Sequence, residues 1–253
     1  MMPRAAVRGE PNPLRASAWR HVAAALVATA RGAAALRTAL GLGTDYVIAA
    51  LAVAACGAIA ILRAVPRTHP HATFGPANAV TLARAVPTAL VAALVVESGS
   101  VGPAAYPTLV GTAVVVLDGL DGRLARRYGV ASEFGARFDM ETDALLVLAL
   151  AVLAWRWDRA GGWVVLSGLA RYLCVGAGML LPWLRRHLPP SRRRQTVCVV
   201  QIVVLLAVVA PALPRAATAP LALAGLLVLA YSFAVDVAWL ARHASRSPDG
   251  RAA

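Results

Sequence analysis

The sequence has no lysine, only 12 acidic residues and only three cysteines among 253 residues, and each shortage removes a class of protein. Cys56, Cys174 and Cys198 lie far apart in apolar runs, with no CxxC spacing. That excludes a disulfide framework or a zinc ribbon and leaves them as small core residues. The five histidines, His21, His69, His71, His187 and His243, sit near segment ends, and none pairs with a second at ligand spacing on a helix. Charged residues make up only 15% of the chain, against 59% apolar residues. No stretch alternates as a barrel strand does, so the long apolar runs read as helices that satisfy their own backbone groups in a bilayer. Without lysine, the net charge of +13 rests on 25 arginines. They fall in short loops between apolar runs. That distribution fits topology signals and headgroup anchors, not a nucleic-acid surface.

What is present is a succession of apolar segments. The expected spans are 21–41, 46–62, 78–96, 103–120, 135–154, 162–183, 195–213 and 219–240. The first is interrupted by Arg31 and Arg37, and residues 1–20 read as a polar surface segment. Residues 64–75, with two prolines, read as a linker. The loop at 185–194 carries five arginines, which places it in the cytoplasm. Counting in both directions then gives eight spans with both ends cytoplasmic. The expected organisation is an all-α, polytopic helical membrane protein. It has an N-terminal extension over 1–75 with a helical hairpin, a six-helix core over 76–243 and a cytoplasmic tail over 244–253. No cleavable signal peptide is evident. The alanine-rich, lysine-free composition fits a GC-rich coding bias, and the expected location is a bacterial cell membrane with the active site at the cytoplasmic side.

Half of the scarce acidic residues fall in one short segment: Asp118, Asp121, Glu133, Asp139, Glu141 and Asp143. Asp118 and Asp121 are three apart, and Asp139 and Asp143 are four apart, so each pair shares a helix face. One pair ends an apolar run and the other opens the next. A short loop between them makes the two helices antiparallel neighbours, with four carboxylates converging at one membrane edge. Such a cluster repels itself unless a cation neutralises it. Oxygen-only ligands select hard ions such as Mg²⁺, Mn²⁺ or Ca²⁺. Two ions held this way can clamp a diphosphate during displacement at phosphorus. Gly122 and Gly135 permit close backbone approach, and Arg126 offers a forked donor to phosphate. Glu133 and Glu141 lie off the shared faces.

Residues 118–143 read DGLDGRLARRYGVASEFGARFDMETD and fit DxxDGxxARx8GxxxDxxxD at all eight fixed positions. The pattern resembles the signature of the CDP-alcohol phosphotransferases, and the wider likeness covers roughly residues 76–242. The resemblance implies that Asp118, Asp121, Asp139 and Asp143 are metal ligands for Mg²⁺ or Mn²⁺, two ions in all. It implies catalytic roles for Asp139 and Asp143, the latter as base toward the acceptor hydroxyl. Gly122, Ala125, Arg126 and Gly135 would line the CDP pocket. The resemblance also implies a homodimer. The expected reaction moves a phosphatidyl group from CDP-diacylglycerol to a small alcohol, of the glycerol 3-phosphate or inositol phosphate type, and releases CMP. The reverse arrangement, a CDP-linked small alcohol and a lipid acceptor, stays open. An ion-coupled transporter is the competing class, but it predicts mid-membrane acids and repeated halves. Met140 and Ala144 replace residues commoner after the third and fourth aspartates, which leaves the acceptor open.

Asn78, Thr81 and Arg84 recur every third residue at the opening of the first core helix. Asn78 and Thr81 are expected to approach the nucleotide, as the similar helix in the family does. Arg171 interrupts an apolar run and needs a partner, such as Asp236, or a polar cavity. Arg192, Arg193 and Arg194 could hold an acidic acceptor or lipid headgroups.

Overall fold

Alanine, leucine and valine fill the long runs, and alanine and leucine are strong helix formers in any environment. The computed structural model describes residues 13–68, 73–97, 106–108, 110–112, 133–186, 188–189 and 191–244. Among the described residues there is no strand. The main helices are α1 (Pro13–Leu40), α2 (Thr44–Thr68), α3 (Pro76–Ala93), α4 (Glu133–Arg156), α5 (Leu166–Leu180), α6 (Arg192–Val209) and α7 (Arg215–Ala244). The expected all-α class holds. Segments Thr44–Pro66, Pro76–Val96, Gly162–Leu180 and Arg215–His243 are each long and apolar enough to cross a membrane. They leave large apolar side chains on the outside, among them Leu173 and Met179 on α5 and Leu227 and Tyr231 on α7. The chain is an all-α polytopic membrane protein.

The other expected spans differ for identifiable reasons. α1 carries Arg15, Arg20, Arg31 and Arg37 along its length. The first turns of α4 carry Asp139, Glu141 and Asp143, and α6 opens on three arginines. Most of 103–120 lies outside the described residues. Two boundaries are corrected. α1 begins at Pro13, not at residue 21, because Leu14, Ala18 and Val22 form a buried stripe despite the arginines between them. Proline is tolerated at a helix start, where its missing N–H has no partner to lose. α2 runs on through Pro66 to Thr68, into the expected linker.

The chain divides into two compact units, one of residues 1–97 and 116–142, the other of residues 98–115 and 143–253. In the first, α1 and α2 form a hairpin closed at residues 41–43, where Leu42 N–H donates to Arg37 O at 3.0 Å. Both helices pack on α3. At one end of the hairpin, Gly43 N–H donates to Glu97 Oε1 at 2.9 Å, and the Tyr46 hydroxyl donates to Leu90 O at 3.1 Å. At the other end, Leu14, Ala18 and Val22 of α1 and Ala58, Ile61 and Val65 of α2 close over Phe74, Leu82 and Phe134.

In the second unit α4 meets α5 at Gly168, where an added Cβ would stand 2.4 Å from Leu148 Cα. No side chain fits there, so glycine sets the closeness of that crossing. α6 packs along α7. The turn after α4 is tied to the turn before α7 by two bonds. Arg159 Nη1 donates to Leu213 O at 2.9 Å, and Thr218 Oγ1 donates to Arg159 O at 2.5 Å.

Candidate active site

The opening of α3 is set by its first residues. Gly75 takes φ 79°, a left-handed conformation suited to glycine, and Pro76 occupies the first helical turn. The turn directs Phe74 into the core, where it is fully buried. Asn78 Nδ2 donates to Phe74 O at 2.5 Å, and Thr81 Oγ1 donates to Ala77 O at 3.2 Å. Asn78, Thr81 and Arg84 are all buried, as expected of residues sharing one helix face.

That face meets the acidic motif through Arg84. Its Nη1 donates to Asp139 Oδ1 at 2.5 Å, with the arginine side chain 1% exposed and the aspartate 42%. A charge-assisted bond of this kind fixes the carboxylate's rotamer, and the planar guanidinium cannot deprotonate. Asp139 Oδ2 receives no hydrogen bond from any described residue. One oxygen is thus held from the protein side, and the carboxylate as a whole stays half-exposed. By chemistry, a carboxylate so placed fits as one oxygen ligand of a hard cation. Among the described residues no three His, Cys, Asp or Glu side chains gather as a complete metal site. Two of the four expected ligands, Asp118 and Asp121, lie outside the described residues, as do Gly122, Ala125 and Arg126.

Asp143 follows Asp139 by one turn on α4, so the helix places the two on one face. Gly135 precedes Asp139 by one turn on the same helix. Glu141, left out of the expected site, is exposed. The sequence reading missed Arg84 as the partner of Asp139. The available signal was that Arg84 is the one charged residue within α3.

In the second unit, Asp236 of α7 is engaged by arginines of α6. Arg193 Nη2 reaches Asp236 Oδ1 at 2.5 Å and Arg194 Nη1 reaches it at 3.3 Å. Arg193 Nη1 also donates to Ser232 O at 2.5 Å and to its Oγ at 2.6 Å. The expectation that Arg171 could pair with Asp236 is therefore met by different arginines. Arg192 remains exposed.

A family model described as CDP-alcohol phosphatidyltransferase matches residues 74–237. No curated protein and no solved structure matches the chain. The matched region starts at Phe74, includes the whole 118–143 motif and leaves α1 and α2 outside.

Proposed function

The chain belongs to the CDP-alcohol phosphatidyltransferase family, and from that membership we propose that it transfers a phosphatidyl group from CDP-diacylglycerol to a small phosphorylated alcohol. Membership makes it a transferase of substituted phosphate groups acting in lipid synthesis. The acceptor in this reading is glycerol 3-phosphate or an inositol phosphate, and CMP is released. The observation that carries the reading is the unbroken eight-position motif over 118–143 within the matched region.

In this reading Asp118, Asp121, Asp139 and Asp143 hold two Mg²⁺ or Mn²⁺ ions. When bound, the ions supply charge neutralisation for the diphosphate and for the departing CMP. Arg84 keeps Asp139 in a single orientation. Asp143 takes the proton from the acceptor hydroxyl as its oxygen bonds to the lipid-side phosphorus. The bond from that phosphorus to the oxygen bridging the two phosphates breaks, and CMP leaves with the electron pair. Gly122, Ala125, Arg126 and Gly135 line the nucleotide pocket. Asn78 and Thr81 shape its wall through the α3 backbone to which they bond. The site opens on the cytoplasmic side, and the protein works as a homodimer.

The test is CMP release by purified protein from CDP-diacylglycerol with Mg²⁺ or Mn²⁺ and a panel of alcohols, with radiolabelled lipid product naming the acceptor. Metal-dependent CMP release with a phosphorylated alcohol is expected. No CMP release with any alcohol of the panel would sink the reading.

A further inference from the structure

The chain has four phenylalanines, and three of them, Phe74, Phe134 and Phe138, form one ladder. The Phe74 and Phe134 ring centroids are 6.1 Å apart with the planes at 59°. Phe134 and Phe138 are stacked at 5.8 Å with 30° between planes. Separations in this range are the favourable ones for aromatic pairs. Phe138 is the residue before Asp139, so the ladder ends beside the carboxylate that Arg84 holds.

The other end of the ladder is gripped by α1, which lies outside the family-matched region. The His21 ring stands 5.3 Å from Phe74, and its Nδ1 lies 2.8 Å from Ser17 O. A carbonyl can only accept, so Nδ1 carries the proton and the ring is pinned to its own helix. Ser17 Oγ in turn accepts the Phe74 N–H at 3.3 Å. Phe74 thus meets Ser17 and His21 on one side and Phe134 on the other, while its carbonyl takes the Asn78 amide.

We propose that the N-terminal hairpin positions the metal-binding carboxylate Asp139, acting through Ser17 and His21 on the Phe74–Phe134–Phe138 ladder. The inference rests on the function proposed above. It assigns to residues outside the family region a task inside the family's site. The ladder's place on α4 supports it. Phe134 and Phe138 sit in the first turns of α4, at the start of the helix that carries Asp139. The ladder therefore restrains that start from the flank, while Arg84 restrains the carboxylate itself. Two other hydrogen bonds of the hairpin, Gly43 to Glu97 and Tyr46 to Leu90, lie at its opposite end and serve as a control.

The experiment uses the full chain in nanodiscs and reads Mn²⁺ binding without substrate, by electron paramagnetic resonance, beside CMP release and thermal unfolding. His21→Ala and Ser17→Ala are expected to weaken Mn²⁺ binding by up to about tenfold, the low end of what direct partners of a metal ligand cost, since these two act at a distance. His21→Phe, which keeps a ring on Phe74, restores it. Tyr46→Phe, at the opposite end, lowers the unfolding temperature but leaves Mn²⁺ binding at the wild-type value. Wild-type Mn²⁺ affinity in folded His21→Ala and Ser17→Ala, or an equal fall in Tyr46→Phe, overturns this proposal alone. A wild-type protein that neither binds Mn²⁺ nor releases CMP overturns the function reading and this one with it.

Discussion

Asp139→Asn and Arg84→Met remove the two ends of one ion pair, yet they should not cost the same. Arg84 is 1% exposed and Asp139 is 42% exposed. Losing the aspartate takes one carboxylate from a buried guanidinium. Losing the arginine leaves a carboxylate that water already reaches. Breaking a fully buried pair costs about 3–5 kcal/mol, and an exposed pair is worth about 0–1 kcal/mol. A charged hydrogen bond contributes about 1.5–3 kcal/mol. With one partner solvated, the solvent discount brings the coupling between the two side chains to roughly 1–2 kcal/mol. Asp139→Asn should then destabilise by about 2 kcal/mol and Arg84→Met by about 1 kcal/mol. The double variant should cost less than the sum of the two. The assay is reversible denaturation of the four proteins in detergent with chelator present, followed by tryptophan fluorescence. Keeping metal out confines the measurement to the ion pair. A coupling under about 0.5 kcal/mol, the error of additivity for independent sites, would refute the pairing. An Arg84→Met cost larger than that of Asp139→Asn would refute the asymmetry argument even if the coupling survived.

Asp143→Asn should abolish CMP release while moving the unfolding temperature little, since it removes a carboxylate and adds no bulk; turnover like wild type would refute its role as base. Gly168→Ala should destabilise by about 1–3 kcal/mol, because its Cβ would stand 2.4 Å from backbone at Leu148; an unchanged denaturation midpoint would mean that α4 and α5 part easily. Asp236→Asn should cost about 1–2 kcal/mol, because two arginines share its Oδ1; a neutral result in the same assay would show that water replaces the pair. Chelation should stop CMP release, and added Mg²⁺ or Mn²⁺ should restore it; activity that persists in chelator would remove the metal from the reading.

The parts of this protein legible in the sequence are those that one segment determines by itself. A long apolar run states that it is a helix, and four such runs are long and apolar enough to span. The 118–143 motif names its own carboxylates. Where the outcome depends on a second segment, the sequence reading stops short. Residues 13–20 look polar because Arg15 and Arg20 are counted, but the burial of Leu14 and Ala18 is decided by what α1 packs against. Arg84 reads as one of three polar residues on a helix face, and nothing within α3 says which acid it meets. The acid is 55 residues away, on a helix whose start is packed through Phe134 against Phe74. Periodicity gives the face of a helix but not the neighbour that covers it. By the same reasoning, the contribution proposed for the hairpin is invisible in the sequence. Ser17 and His21 form no motif with Asp139, and the connection exists only through rings that lie side by side after folding. A metal-binding carboxylate needs its ligand oxygen exposed and its other contacts fixed. The fixing groups must therefore come from the buried side, from whichever segments happen to pack there. On the proposal made above, those segments are α3 and, beyond the matched region, α1.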